Sequence, residues 1–342
     1  MKKVISLILI AAMCIGLLAG CGASSDGGSL KGKRVRVVIG STSTGGDSYM
    51  IADMVTRYLG EEMGFNGKVD AVGNAAALDA ITKAKGDGTT IMMFHDMAYL
   101  SVLFGAVDSA YALENLTVGP MIGSNPGGCF AAHASAPYNS LAEAAEWLAE
   151  NPNEVIRVNI EAGSASHLCF GVFYMWAQEK YGEDVASRIK AIVGGTTDEK
   201  KQRLWDGNAD IIYADYSAMV EFTKEGVDSQ LACKIFDTCG EVEGVSSMAD
   251  AGITFDGEVF SFNKDFFMFF PKNMDEGVLD EINEAMKRVA ANPDFQAEMA
   301  NLKYTAVTPE QADVEAARTY ITAKREAAEK IVEQCPSLDE LT

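Results

Sequence analysis

Short runs rich in Val and Ile alternate along this chain with longer stretches in which apolar residues recur every three or four positions. The runs read as strands and the periodic stretches as helices. A strand is predicted over 34–40 (RVRVVIG), a helix over 49–62 from Met50, Ile51, Met54, Val55, Tyr58 and Leu59, and a second strand over 67–72. A short helix over 75–83, a turn at Gly86-Asp87-Gly88 and a third strand over 90–94 (TIMMF) follow. This strand-helix-strand order implies parallel strands joined by right-handed crossovers.

After Pro120 the pattern restarts. Strands are predicted over 129–133, 156–160, 189–193, 210–214 and 231–236, with helices over about 166–181 and 217–225. Ser140 with Glu143, and Thr196 with Glu199, have the spacing of capping boxes at two further helix starts. The last third differs. One strand over 266–271 precedes helices over 275–291, 293–302 and 309–332, the last opened by Thr308 as cap and Pro309 in the first turn. The pattern supports two α/β units in series, with C-terminal helices that can wrap back and tie them together.

The N-terminus lies outside this pattern. Lys2 and Lys3 precede an apolar run over 4–18, which ends at Leu18-Ala19-Gly20-Cys21. A basic start, a short apolar stretch and small residues mark a secretory signal, and the run is too short to span a membrane as a helix. Leu-Ala-Gly-Cys also resembles the lipobox of bacterial lipoproteins. That makes 1–20 a signal peptide and Cys21 the lipidated first residue of the mature chain; an ordinary secretory signal with an incidental Cys is the alternative. Residues 21–32, which include GASSDGGS, read as a flexible tether. A chain held outside the cytoplasmic membrane has no supply of ATP or NAD, so no cofactor is expected.

Of 342 residues, enough remain after such cleavage for two domains with cores. A formal charge of −21 provides no basic face for phosphate, so nucleic acid is not an expected partner. An acidic surface does not hold anionic lipid either, so membrane attachment falls to the lipid anchor. Oriented backbone amides still permit an anionic ligand at one site. Cys129, Cys169, Cys233, Cys239 and Cys335 are odd in number and cannot all pair. Cys233 and Cys239 are close enough in sequence to bridge, whereas Cys169 reads as a buried small hydrophobe. No Cys-x-x-Cys pair suggests a zinc site.

Two loops are candidates for chemistry. Residues 40–48 (GSTSTGGDS) join the first strand to the first helix, and 161–167 (EAGSASH) occupy the same junction in the second unit. Both place small and hydroxyl side chains at a helix N-terminus, where leading N–H groups lack partners and the dipole favours negative charge. In open α/β sheets ligands bind beyond the carboxyl ends of the strands, where these loops lie. Together they make a two-jawed anion site; taken singly, each reads as a turn with a cap. Neither carries the Gly-Lys-Ser/Thr of a P-loop. His95 could donate to a carboxylate, and Asp215, at a strand end, could hold a ligand hydroxyl or a water. A structural hydrogen-bonder and a helix cap are the competing readings. His167 could cap its own helix or touch ligand. No nucleophile elbow or His-Glu-x-x-His pair points to catalysis, although a triad assembled from distant residues is not visible to sequence.

Several dispersed signatures carry a family likeness. They are VRVVIGSTSTGGDSYMIADMVTRYLGEEMG at 35–64, GNAAALDAITKAKGDGTTIMMF at 73–94, Ala162-Gly163-Ser164-Ala165-Ser166-His167, Leu204 to Asp210 (LWDGNAD), and Asp250-Ala251-Gly252. On these the chain resembles the solute-binding proteins of tripartite tricarboxylate transporters, from about Arg34 to about Thr322. It departs from the family pattern at Tyr49, at Asp53, at Ile192-Val193-Gly194-Gly195 and at Ala214, beside Asp215. The resemblance implies an α/β, two-lobed type II periplasmic-binding-protein fold (a Venus flytrap) with the ligand cleft between the lobes. The expected lobes are 33–124 with 240–342, and 125–239. It implies a small organic acid, di- or tricarboxylate or related, as ligand. It also implies two integral membrane transporter subunits as partners, and no catalysis. Carried over by residue, it nominates Ser41, Thr42, Ser43, Thr44, Gly45 and Gly46 from the first loop, and Gly163, Ser164, Ser166 and His167 from the second. His95 and Asp215 complete the candidate set. The resulting expectation is a lipid-anchored receptor on the extracytoplasmic face of the membrane. A component of another uptake or sensing system and a surface hydrolase are the alternatives.

Overall fold

The structure, a computed structural model, describes residues 29–342; the expected signal segment 1–20, Cys21 and the tether as far as residue 28 lie outside the described residues. The remainder of the expected tether is docked. Ser29 donates to Glu281 from its amide and its hydroxyl, at 2.6 and 2.9 Å, and Leu30 is fully buried. An apolar side chain with a hydrophobic surface within reach packs against it, so the folded body begins by residue 29 and not after residue 32.

Along the chain the strands are β1 Arg34–Ile39, β2 Asn66–Ala71, β3 Thr90–His95, β4 Leu116–Asn125, β5 Gly128–His133, β6 Ile156–Ile160, β7 Ile189–Val193, β8 Ile211–Asp215, β9 Cys233–Thr238, β10 Thr254–Phe255, β11 Glu258–Val259 and β12 Lys264–Pro271. They form two five-stranded sheets, β2-β1-β3-β12-β4 and β7-β6-β8-β5-β9, and a small β10-β11 pair. β1 runs parallel to β2 and β3, and β6 parallel to β7 and β8. β12 and β5 insert antiparallel at the matching place in each sheet. The two sheets are the two lobes of the expected architecture.

The first lobe is completed only after the second has been built, because β12 returns to it. Its sequence, KDFFMFFP, is buried at every position, with Phe267, Phe269 and Phe270 fully covered. A strand apolar on both faces belongs inside a sheet covered on both sides, not at an edge. The chain crosses between lobes at Pro126-Gly127 and again over 239–263. The crossings are bonded to each other: Cys239 N donates to Gly128 O at 2.7 Å and Gly240 N to Pro126 O at 3.0 Å. Gly128 is required here, since a Cβ would lie 2.1 Å from the Tyr213 hydroxyl. The helix Val314–Gln334 packs against β4 of the first lobe and the helix Ala165–Tyr181 of the second. The tail beyond it reaches the second lobe, where Lys190 Nζ donates to Thr342 O at 3.1 Å.

Several local expectations shift. Thr196 and Glu199 form a full capping box, whereas the Glu143 carboxylate accepts from Asn139 N and leaves Ser140 with half of one. The helix expected over 217–225 is a short turn, Tyr216–Met219, followed by a 3₁₀ turn, Val220–Thr223. The helix expected over 309–332 breaks at Asp313, whose carboxylate caps the helix Val314–Gln334. The five described cysteines are free thiols. Cys233 opens β9 and Cys239 directly follows it, and the strand's extended rise of about 3.3 Å per residue holds them roughly 20 Å apart, too far to bridge. No helix among the described residues is long and apolar enough to cross a membrane.

Candidate functional site

The carboxyl ends of β1, β3, β6, β7 and β8 surround a cleft of about 430 Å³ between the lobes. Its first wall is the loop after β1, where Ser41, Thr42, Ser43 and Gly46 line the space. The loop braces itself: Ser43 N donates to Ser41 Oγ at 3.1 Å and Gly45 N to Ser43 Oγ at 3.2 Å. Gly46 caps the helix Asp47–Met63 without a side chain, so no side-chain oxygen satisfies the leading amides from that position. Thr44 and Gly45 are exposed and do not line the cleft.

The facing wall is the loop after β6. Ser164 and Ser166 both line the cleft and are locked by one hydrogen-bond knot. Ser164 Oγ accepts from Ser166 N at 3.1 Å and donates to Glu161 O at 2.8 Å, while Ser166 Oγ accepts from Glu161 N at 2.9 Å. Gly163 and His167 do not line the cleft; they hold the lobes together. Gly163 has φ +67°, and a Cβ there would lie 2.9 Å from the Ser101 Cα of the first lobe. The His167 ring stacks on Phe104 at 3.8 Å between centroids. Its Nδ1 accepts from Gly163 N at 3.3 Å, and its buried Nε2 has no partner among the described residues. Burial pulls its pKa down to about 4.

His95 lines the cleft from the end of β3. Its Nδ1 accepts from Met97 N at 3.2 Å, which places the ring proton on Nε2. Burial, reinforced by the Lys264 charge, pulls its pKa down to about 3. It is therefore a neutral donor at any ordinary pH.

A buried polar network forms the floor. Lys264 at the start of β12 is ion-paired with Asp47, both almost fully buried. Asn125 Nδ2 donates to Asp47 Oδ2 at 2.8 Å and to Asp215 Oδ1 at 2.7 Å. Tyr304 donates to Asp215 Oδ2 at 3.0 Å, and Ser217 donates to the same oxygen. Burial works against ionisation of Asp47, but the Lys264 and His95 contributions outweigh it and hold the carboxyl far below its usual range. Burial and the Asp47 charge push Asp215 the other way, upward. Asp215 thus lines the cleft with both oxygens already satisfied.

Other groups line this space that the sequence reading did not nominate, Lys200 and Tyr213 among them. Lys200 is only 6 % exposed, and its ammonium makes no ion pair or hydrogen bond among the described residues. Burial lowers its pKa, with Glu161 opposing. Tyr213 Oη and Asn74 Oδ1 are buried without partners. Asp47 stood inside the loop already singled out, and Lys200 one turn into the capped helix, so both were within reach of the sequence. Lys264 carried no local signal. No cluster of His, Cys, Asp or Glu among the described residues could hold a metal ion.

A family model described as tripartite tricarboxylate transporter family receptor matches residues 49–335. No curated protein sequence matches the chain. Among solved structures, the periplasmic binding protein BugD aligns with a TM-score of 0.69 at 17% identity, over 88% of this chain and 97% of that one. MatC from Rhodopseudomonas palustris, with bound malate, aligns with a TM-score of 0.69 at 17% identity, over 87% and 99%. A second R. palustris protein, with adipate, aligns with a TM-score of 0.67 at 15% identity, over 88% and 96%. At these identities the likeness concerns the two-lobed fold.

Proposed function

Because the chain belongs to the tripartite tricarboxylate transporter family of receptors, we propose that it captures a small carboxylate-bearing solute outside the cell membrane and hands it to integral membrane transporter subunits. The observation that carries this reading is the cleft itself. Two hydroxyl-rich loops, one from each lobe, meet at helix N-termini over a neutral histidine donor and a lysine without a counter-ion. Helix amides, hydroxyls and an ammonium are the groups that bind a carboxylate. Ser41, Thr42, Ser43, Gly46, His95, Ser164 and Ser166 are the proposed contacts. Malate and adipate in the structural relatives support the ligand class. Closure of the lobes excludes water and strengthens each contact.

In this reading the protein is a lipoprotein. Lys2, Lys3, the apolar run and Leu18-Ala19-Gly20-Cys21 support cleavage before Cys21 and its lipidation, which would hold the receptor on the extracytoplasmic face. It performs no turnover and returns its ligand unchanged. A thermal-shift screen of the purified protein against mono-, di- and tricarboxylates, amino acids and neutral solutes tests the reading. A saturable rise in melting temperature with at least one acid is expected. A response confined to neutral solutes, or to none, would sink it.

A further inference from the structure

The charge inventory of the cleft narrows the ligand beyond its being an acid, and this step rests on the carboxylate reading above. Four carboxylates, those of Asp47, Glu161, Glu199 and Asp215, line the cleft against two ammonium groups, those of Lys200 and Lys264. Lys264 is neutralised by Asp47. His95 lacks charge. Lys200 is left as the one cleft cation without a carboxylate partner, and it is more than nine-tenths buried. Glu161 and Asp47 act on it only through space, without an ion pair; a buried ammonium not directly paired is unfavourable, and a single anionic group on the ligand corrects that.

A second carboxylate has no such place. Asp47 is already balanced by Lys264, but Glu161, Glu199 and Asp215 line the cleft with no ion pair among the described residues, and a further negative charge beside them is repelled. The remaining open valences are of another kind. Asn74 Nδ2 donates to Ser101 Oγ at 2.9 Å, leaving Asn74 Oδ1 buried and unpartnered at the cleft wall. The Tyr213 hydroxyl is likewise unpartnered. A carbonyl oxygen in that position asks for a donor, which a hydroxyl or amine supplies and an ionised carboxylate does not.

We propose that the cleft selects a singly charged acid bearing a hydrogen-bond donor, its carboxylate on Lys200 and its donor toward Asn74, and that it discriminates against di- and tricarboxylates. Lys200 is then the specificity-determining residue: it sets how much negative charge the ligand carries.

Calorimetric titration of the purified protein with acids matched for length tests this. 3-Hydroxybutyrate and malate share a hydroxylated four-carbon chain and differ by one carboxylate; butyrate and succinate form a second pair, and citrate extends the series. The monoacid of each pair should bind at least tenfold more tightly than the diacid, with citrate weakest. Lys200→Met should lose at least tenfold in monoacid affinity, and Lys200→Arg should retain most of it, with unliganded melting temperatures reporting that each variant is folded. Tighter binding of malate, succinate or citrate than of their monoacid counterparts would overturn the inference while leaving the carboxylate receptor standing. Unchanged monoacid affinity in folded Lys200→Met would overturn it too. No heat with any acid would overturn the receptor reading and this inference with it. If Lys200→Met does not fold, the wild-type ranking within the pairs decides alone.

Discussion

Asn125 donates to Asp215 across the junction of the two lobes at 2.7 Å, from the last residue of β4 to the last residue of β8. The same amide nitrogen donates to Asp47 at 2.8 Å. One neutral side chain thus bridges two buried carboxylates that would otherwise repel, at the place where the chain first crosses between lobes. Its own oxygen accepts from Gly127 N at 2.8 Å, which shapes that crossing. Asn125→Ala should therefore lower stability by about 1–3 kcal/mol, the cost of leaving buried acceptors short of a donor. Asn125→Asp should cost more, because it adds a third carboxylate. Denaturant titration reads both; a midpoint unchanged in Asn125→Ala would show that the bridge contributes little.

Breaking the Lys264–Asp47 pair from one side should be severe. Lys264→Met strands a buried carboxylate, and losses of about 3–5 kcal/mol accompany such changes. Replacing Asp47 by Leu in the same chain removes the stranded charge, so the double variant should recover much of the loss. A double-mutant cycle by chemical denaturation measures the coupling. Additive single effects would argue against a mutual pair.

Asp237 gives a pH signature away from the cleft. Its carboxyl is fully buried, accepts from Leu141 N at 2.6 Å and Ser246 Oγ at 3.2 Å, and is pushed by burial from 3.8 up to about 6. A carboxyl with a raised folded-state pKa favours folding when protonated. Its contribution is complete below about pH 4 and is lost as pH rises through about 6. Asp237→Asn should remove that decline and be more stable than the parent at pH 7–8, by up to about 3 kcal/mol at 1.36 kcal/mol per unit. Melting curves of both proteins from pH 4 to 8 check it; parallel curves would count against it.

The crossing at Gly128 should tolerate no side chain. Gly128→Ala pushes a methyl into the Tyr213 hydroxyl, 2.1 Å away, and should cost about 1–3 kcal/mol. Tyr213→Phe removes the clashing atom and an unpartnered polar group together, so it should be near neutral alone and should relieve part of the Gly128→Ala cost. Because Tyr213 lines the cleft and its hydroxyl is buried without a partner, Tyr213→Phe should weaken ligand binding without lowering the unliganded melting temperature. Thermal melts with and without ligand separate the two effects.

Much of the fold was legible because it is written locally. The Val-rich run of β1, the helical spacing after Tyr49 and the Thr196–Glu199 box depend on neighbours within a few residues, and each appears in the structure. The two loops were legible as well, since small residues between a strand and a helix imply a helix N-terminus on the strand's carboxyl side. Roles within the loops were less so. Ser164 and Ser166 line the cleft while Gly163 and His167 pack between lobes, because alternate positions of one short loop face different neighbours. β4 and the helix Met97–Leu103 went unread, their apolar positions following neither period cleanly.

By itself the sequence determined the alternating α/β plan, the placement of two hydroxyl-bearing loops at helix starts and the acidic character of the chain. These follow from local periodicity, capping chemistry and composition. Only the tertiary structure decided which charges meet. Asp47 and Lys264 are 217 residues apart and Asn125 and Asp215 are 90 apart, and no local pattern pairs them. Nor does any local pattern say that Lys200 is buried in the cleft without a counter-ion. Electrostatic partnership depends on distance through space and on exclusion of water, and both are set when β12 returns to complete the first sheet.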